Sequence, residues 1–268
     1  MDILWAIILG IIEGVTEFLP ISSTGHLLLT QDLIGYKDTA EIFTVVIQLG
    51  ALGAVVWYYR QDLILKVEGL FKKDKKTQNF WKIWIVATLP ATLIGLLLEA
   101  HITTFNTTPV IAGALIIGGI LIWLIETYHK PKAPSSKIQL SNVSMKQALS
   151  IGFYQALALI PGVSRSGSTI MGGLLSGLDR VTATAFSFYL SIPILFLAGV
   201  YKLATGFNNF DSISGGGMAL LAGTVASFIS AFIVIGWLLK YVSRHNFKIF
   251  AYYRIILGII LLICINFI

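Results

Sequence analysis

The chain has 268 residues, of which 56% are hydrophobic and only 12% are charged, and its mean hydropathy is +0.83. Because soluble domains carry about a quarter charged residues, this composition excludes an ordinary soluble protein and predicts a polytopic membrane protein. The net charge of +6 comes from basic residues gathered in a few polar loops, without a basic stripe interleaved with stacking aromatic side chains. We therefore expect no nucleic acid partner.

Six apolar segments are long enough to cross a hydrocarbon layer of about 30 Å as helices. In chain order these predicted spans are residues 43–59, 83–100, 110–128, 185–202, 218–240 and 247–267. Basic residues concentrate in segments 60–82, 130–146 and 240–248, which the positive-inside rule places in the cytoplasm. Segments 99–109 and 206–217 have almost no basic residues and are expected on the outer side.

Two further apolar regions are interrupted by polar loops. Segment 3–19 is followed by Pro20 and the sequence ISSTG, and the next apolar segment, 27–34, would be only about 12 Å long as a helix. Segment 148–160 is likewise followed by PGVSRSGS and a short apolar segment at 169–178. Since neither second segment can cross the membrane, each region is predicted to be a re-entrant helix–loop–helix.

The two broken regions resemble each other, which predicts an internal repeat. Gly10 and Gly25 match Gly152 and Gly167 at a single offset, and on this register SSTGH aligns with SRSGS. Each half would contain one re-entrant hairpin and three transmembrane helices. Because three is odd, the second half should be inverted relative to the first, as in many secondary transporters.

The predicted fold is therefore an all-α polytopic integral membrane protein with an inverted-topology repeat in one membrane domain. The first repeat covers about residues 1–128, a basic cytoplasmic linker covers 129–146, and the second repeat covers about 147–268. The tips of the two hairpins are expected to meet near the middle of the membrane.

Ionisable side chains inside a membrane are costly and usually mark function, and four of them fall on the two hairpins. They are Glu13, Glu17, His26 and Arg165. Glu13 and Glu17 share one helix face because they are four residues apart. Two carboxylates in an apolar setting repel each other unless a proton or a cation lies between them. We therefore predict that Glu13 and Glu17 hold a divalent cation, Mg²⁺ or Ca²⁺, through oxygen ligands.

Both loops lead into a new helix, and a helix N-terminus favours an anion such as phosphate. Arg165 adds a guanidinium that can donate two hydrogen bonds to phosphate oxygens. The predicted phosphate ligands are Arg165, Ser22, Thr24, Ser164, Ser166 and Gly167. The residues predicted to support this site from behind are Gln48, Gln155 and Ser191.

Ser22, Ser23 and Thr24 are candidate nucleophiles, and His26 is near enough in sequence to act as an acid or a base. Together with the acid pair and the arginine, these groups are typical of phosphoryl transfer on a substrate with a lipid tail.

Structural interpretations compete with these functional ones. The carboxylates could be a structural pair satisfied by Ser and Thr, and Arg165 could bridge its hairpin to Glu17. His26 could cap the second half-helix or bond a loop carbonyl. Four serines could be helix caps and turn formers: Ser22, Ser164, Ser166 and Ser168. The alternative function is a secondary transporter or a lipid flippase, because inverted repeats also serve alternating access.

The sequences EGVTEFLPISSTGH (13–26) and PGVSRSGSTI (161–170) resemble the two signature segments of the bacterial undecaprenyl pyrophosphate phosphatase family, also called the bacitracin resistance protein family. The resemblance extends over nearly the whole chain and includes VIQLGA after the first segment. It implies removal of the terminal phosphate from undecaprenyl pyrophosphate at the outer face of the bacterial cytoplasmic membrane. That reaction recycles the carrier lipid for cell wall synthesis and confers bacitracin resistance.

The resemblance also implies a set of functional residues and dependence on a divalent cation. The residues are Glu13, Glu17, Ser23, His26 and Arg165. Three nucleophiles remain open at this point: Ser23 forming a phosphoserine, His26, or water. His26 or Glu17 would accept the serine proton. A homodimer through small-residue helix faces is a further expectation.

Overall fold

The computed structural model describes residues 2–36, 38, 41–129, 138, 140–206 and 216–264, apart from the side chains of 99–103, 206 and 264. The described residues form eleven α-helices and no strands. The helices are α1 (Ile3–Thr16), α2 (Ser23–Leu33), α3 (Ile42–Tyr58), α4 (Arg60–Phe71), α5 (Lys75–Ile102), α6 (Thr108–Tyr128), α7 (Met145–Ala156), α8 (Arg165–Leu175), α9 (Arg180–Gly206), α10 (Gly216–Val242) and α11 (Lys248–Cys264). Three 3₁₀ turns lie at Thr103–Phe105, Leu140–Asn142 and Leu157–Leu159.

Four helices, α5, α6, α9 and α10, are long and apolar enough to cross a membrane. They contain the predicted spans at 83–100, 110–128, 185–202 and 218–240, so a polytopic helical membrane protein is confirmed. The other two predicted spans, 43–59 and 247–267, correspond to α3 and α11. These helices are shorter, with 17 described residues each. Helix α3 is bent by 71° relative to α4, and the two helices pass the length and hydropathy test for a membrane span only when they are taken together. The last predicted residues, 265–267, lie outside the described residues.

Helices α5 and α9 begin before the predicted apolar segments because an aspartate caps each of them. The Asp74 carboxylate accepts a hydrogen bond from the Thr77 backbone N–H at 2.8 Å. The Asp179 carboxylate accepts one from the Thr182 backbone N–H at 3.1 Å. Such caps satisfy N–H groups that have no partner within the helix, so the helix starts in the polar region.

The helix–loop–helix geometry is confirmed in both broken regions. Helices α1 and α2 are joined by residues 17–22, and a 3₁₀ turn with residues 160–164 joins α7 to α8. The longest of these four helices has 14 residues, or about 21 Å, which is too short to cross the hydrocarbon layer. The re-entrant path through the bilayer stays a prediction.

The helices pack in pairs that join the two halves of the chain. Helix α1 packs on α10, α7 on α5, α3 on α9, and α6 on α11. A Cβ atom on Gly10 would lie 2.1 Å from the Gly223 carbonyl oxygen, and one on Gly152 would lie 2.7 Å from the Ala87 carbonyl oxygen. These matched glycines therefore let each hairpin helix contact the backbone of a long helix in the other half.

A buried ion pair connects the helix ends that lie near the basic segments. The Arg180 Nε–H donates to Glu126 Oε1 at 2.9 Å, and the Phe247 backbone N–H donates to the same oxygen at 3.0 Å. These contacts connect α6, the start of α9 and the start of α11. Large apolar side chains cover the outer surface, as expected for helices that face lipid.

Candidate active site

The two loop tips have the same backbone conformation. Ser22 and Ser164, which precede α2 and α8, have left-handed φ angles of 70° and 76°. Ser22 Oγ accepts a hydrogen bond from the Gly25 N–H at 3.4 Å, and Ser164 Oγ accepts one from the Gly167 N–H at 3.1 Å. Each serine therefore caps the helix that follows it.

Glu17 connects the two loops. Its Oε2 accepts a hydrogen bond from Ser23 Oγ at 2.7 Å, and its Oε1 accepts one from an Arg165 terminal nitrogen at 2.9 Å. Gln48 Nε2 lies 3.5 Å from Oε2. The structure thus brings together three predicted site residues from two distant motifs. The predicted structural bridge between Arg165 and Glu17 is present as a buried ion pair.

Glu13 lies one turn before Glu17 and is 1% exposed. Both of its carboxylate oxygens are buried and have no hydrogen-bond donor among the residues that the structure describes. The charges that act on it are those of Glu17 and Arg165. A buried carboxylate beside a second one needs a proton or a cation, so the orphaned oxygens fit either a protonated carboxyl group or a bound divalent cation.

The described residues contain no group of three or more His, Cys, Asp and Glu side chains that could hold a metal ion. A cation beside Glu13 and Glu17 would therefore take its other ligands from hydroxyl groups, amide groups or substrate oxygens. Mg²⁺ and Ca²⁺ accept such neutral oxygen ligands.

One donor of the Arg165 guanidinium has no hydrogen-bond partner among the described residues. One terminal nitrogen bonds Glu17 and the other donates to the Ser187 carbonyl oxygen at 3.0 Å. Its Nε is buried and has no partner among the described residues. Because an unpaired buried donor is costly, an anion bound next to this nitrogen would be stabilised.

A cavity of about 470 Å³ extends from the loop tips to one end of the helix bundle. Its inner end is polar and is lined by Glu17, Ser22, Ser23, Thr24, Gln48, Gln155, Ser164 and Arg165. Its walls are mostly apolar and include Ala91, Leu96, Leu159, Ile194, Leu197 and Ala198. Its rim consists of Glu41, Asn106, Tyr201 and Lys202. The N-termini of α2 and α8 face this space, which favours an anion at the inner end.

Four of the predicted site residues are hydrogen-bonded to other parts of the protein, and of these four only Gln155 lines the cavity. Ser166 Oγ donates to the Leu19 carbonyl oxygen at 2.7 Å, and the Gly167 N–H is occupied by the serine cap. Ser191 Oγ donates to the Phe188 carbonyl oxygen of its own helix at 2.6 Å. Gln155 lines the cavity, but its Nε2 donates to the Ala87 carbonyl oxygen at 3.4 Å.

His26 lies on the far side of α2 from the cavity. Its Nδ1 is 2.7 Å from the Ser22 carbonyl oxygen, and its Nε2 is 2.7 Å from the Tyr253 hydroxyl. The two rings are parallel, with centroids 5.5 Å apart. The expected bond to a loop carbonyl is therefore present, whereas a role for His26 in proton transfer stays a prediction.

Arg254 is the important residue that sequence reasoning missed. It is fully buried in α11, and its guanidinium donates to carbonyl oxygens of both loops and of α6. The acceptors are Pro20, Ala114, Leu115, Gly162 and Val163, at 3.0–3.4 Å. A lone arginine inside the apolar segment 247–267 was the available signal, because buried charges in spans rarely lack a role.

Comparison with known proteins shows the family of the chain. The family model described as bacitracin resistance protein BacA matches residues 6–260. The chain belongs to the BacA family.

Among the relatives, the undecaprenyl-diphosphatase of Methylobacillus flagellatus is 47% identical over 270 residues, covering 98% of each chain. Undecaprenyl-diphosphatase 3 of Acinetobacter baylyi is 45% identical over 261 residues, or 96% of each chain. Undecaprenyl-diphosphatase 1 of Burkholderia cenocepacia is 44% identical over 261 residues, or 96% of this chain and 94% of its own. The resemblance of the two signature segments to this family is confirmed.

Proposed function

We infer that this chain is an undecaprenyl-diphosphatase, which hydrolyses undecaprenyl pyrophosphate to undecaprenyl phosphate and inorganic phosphate. Membership of the BacA family and three relatives of that name at 44–47% identity support this function. They favour hydrolysis over the transporter alternative. In the structure, the observation that carries it is the contact of Glu17 with both Ser23 and Arg165 at the end of one cavity.

Ser23 is the nucleophile that the geometry supports best. Its hydroxyl already donates to Glu17 at 2.7 Å, so the proton released during attack has a nearby acceptor. Ser23 Oγ would bond to the terminal phosphorus, the bridging P–O bond would break, and undecaprenyl phosphate would leave. Water would then hydrolyse the phosphoserine. Both ring nitrogens of His26 contact other groups, so this histidine is less suited to attack.

Arg165 and the two helix N-termini would bind the phosphate groups. Arg165 lines the same cavity as the hydroxyl-bearing residues Ser22, Thr24 and Ser164. These donors would stabilise negative charge on the phosphoryl oxygens in the transition state. Gln48 would help to orient Glu17, while Gln155, Ser166, Gly167 and Ser191 would support the loops from behind.

Glu13 and Glu17 would hold the divalent cation, because their carboxylates are adjacent and Glu13 has no other partner among the described residues. When bound, Mg²⁺ or Ca²⁺ would neutralise part of the charge on the pyrophosphate. The buried carboxylate of Glu13 would then be stabilised by an opposite charge.

We also propose that the cavity opens to the outer face of the bacterial cytoplasmic membrane. Asn106 and Lys202 of the rim lie at the ends of helices that are remote from the basic segments. The apolar walls suit the first part of the lipid tail. Packing of α1 on α10 and of α7 on α5 supports inverted repeats. The homodimer stays a prediction.

The deciding assay is phosphate release from undecaprenyl pyrophosphate by the purified protein in detergent. After chelation, activity should return with added Mg²⁺ or Ca²⁺, and Ser23→Ala should abolish it. Glu68→Gln is a matched control, because Glu68 lies on the exposed face of α4. Absence of release from folded wild-type protein would refute the function.

Two further readouts separate the individual roles. A trapped phosphoenzyme that is stable in acid would indicate phosphoserine, whereas an acid-labile one would indicate phosphohistidine. Cation binding should raise the unfolding temperature of wild-type protein but not that of Glu13→Gln. An equal rise in both proteins would remove Glu13 from the cation site.

A further inference from the structure

A second ion pair lies at the rim of the active-site cavity. Lys202 Nζ is 2.7 Å from Glu41 Oε2, and Asn106 Nδ2 is 3.5 Å from Glu41 Oε1. Both charged side chains are partly exposed, with 35% of Lys202 and 43% of Glu41 accessible. The pair joins the end of α9 to the start of α3.

Among the described residues, the cavity is lined by two acidic and two basic side chains. At the inner end Glu17 pairs with Arg165, and at the rim Glu41 pairs with Lys202. The inner pair is buried, whereas the rim pair is accessible to water. A negatively charged substrate that enters from the rim therefore meets the Lys202 ammonium before it reaches Arg165.

We propose that Lys202 is a substrate-binding residue that captures the pyrophosphate head group at the rim by exchanging Glu41 for a phosphate. This role rests on the proposed function. Glu41 competes with the substrate for Lys202, and Arg165 receives the head group afterwards.

The energetics favour such an exchange. A partly exposed lysine–carboxylate pair contributes little to stability, so breaking it costs little. A pyrophosphate carries more negative charge than a carboxylate and attracts the ammonium more strongly. Lysine is suited to this task because its ammonium is a flexible point charge, whereas a bidentate arginine would hold one geometry.

The backbone at Glu41 supports a functional role for the rim. Glu41 has a left-handed φ of 56°, which residues with a side chain rarely adopt. Uncommon backbone conformations of this kind occur often at ligand-binding sites. The residue with this conformation, Glu41, is also the one whose carboxylate lies at the cavity rim.

The test is steady-state kinetics on a polyprenyl pyrophosphate in mixed micelles at several salt concentrations. Lys202→Gln should lower kcat/KM about five- to tenfold through KM, and should weaken its dependence on salt. Glu41→Gln should leave kcat/KM unchanged or raise it, because the competing carboxylate is gone. Lys72→Gln and Glu68→Gln are matched controls, since that exposed pair lies on α4, away from the cavity.

The opposite behaviour of the two rim variants separates capture from a structural latch. A latch would make Lys202→Gln and Glu41→Gln equally harmful, with the same drop in unfolding temperature, and would overturn the proposal. Wild-type kinetics in Lys202→Gln would do so as well. If Lys202→Gln does not fold, a fall in kcat/KM for Glu41→Gln still overturns it.

Inorganic phosphate, the released product, has the same chemistry as the head group. Its inhibition constant should therefore be measured in wild type and in Lys202→Gln. A weaker inhibition with an unchanged KM would assign Lys202 to product release and overturn capture of the lipid. Absence of phosphate release by wild-type protein would instead refute the proposed function itself.

Discussion

The loop before α2 and the loop before α8 share one backbone design but carry opposite charges. In the aligned motifs Ser23 and Arg165 occupy equivalent positions, and each bonds a different oxygen of Glu17. Both loops also end with a capping serine in a left-handed conformation. The repeated backbone conformation thus provides two facing helix N-termini. The side chains differ, because the first motif supplies the Glu17 carboxylate and the Ser23 hydroxyl, whereas the second supplies the Arg165 guanidinium.

The two loops differ in how the long helices support them. A Cβ atom on Gly25, in the first turn of α2, would contact the apolar side chain of Leu115 in α6. A Cβ atom on Gly167, in the first turn of α8, would contact the guanidinium of Arg254 in α11. Since Arg254 bonds two carbonyl oxygens of the second loop and only one of the first, the second loop should tolerate change less well than the first.

The largest effect should come from removing either charge of the inner ion pair. Glu17→Gln and Arg165→Met should each lower kcat by about 10²–10⁴-fold, because one loses the proton acceptor and the other a phosphate ligand. The double variant should lose little more than either single variant, since both groups act on one site. Phosphate release from matched amounts of folded protein measures this, and a loss below about tenfold would contradict the assignment.

Arg254→Met should break the common support of both loops. It leaves five carbonyl bonds without their donor, and hydrogen bonds to charged groups contribute about 1.5–3 kcal/mol each. The substitution also removes the cost of burying a charge, which offsets part of this loss. We therefore expect a net destabilisation of about 3 kcal/mol or more. Unfolding in detergent measures it, with Arg244→Met in the exposed loop as control. An unchanged unfolding midpoint would show that the loops hold without Arg254.

The capping serines should have smaller and unequal effects. Ser164 Oγ accepts the Gly167 N–H at 3.1 Å and lies 3.1 Å from Ser166 Oγ, whereas Ser22 Oγ has the longer 3.4 Å bond to Gly25. Ser164→Ala should therefore cost about 1–2 kcal/mol of stability and Ser22→Ala at most about 1 kcal/mol. The same unfolding experiment compares them, and the reverse order would contradict the difference between the loops.

The smallest effect should come from substituting the glycines in the first turns of α2 and α8. A Cβ atom would lie 3.3 Å from the nearest atom in both Gly25→Ala and Gly167→Ala. A flexible leucine methyl can move, but the Arg254 guanidinium is held by its carbonyl partners. Gly167→Ala should thus be less stable than Gly25→Ala by about 1 kcal/mol. Equal stabilities would indicate that Arg254 is free to shift.

Sequence reasoning found the residues of the inner site but not all of their partners. Glu17, Ser23 and Arg165 could be predicted because each is a polar group in an apolar region, and such placement is costly without a function. The contact of His26 with Tyr253 could not be predicted, since nothing local in either motif indicates it. Ser166 and Gly167 were expected to bind phosphate, but the structure places them behind the loop. That placement depends on packing against residues far away in the chain, which no local pattern indicates.

The sequence by itself determined the membrane environment, the broken helices and the separation of charge between the two loops. These features are local, because hydropathy, segment length and Pro20 act within a few turns of helix. Only the tertiary structure decided which donor meets which acceptor, including the five carbonyl partners of Arg254 and the rim pair of Lys202 with Glu41. Many acceptors can satisfy a buried donor, and helix packing alone selects among them.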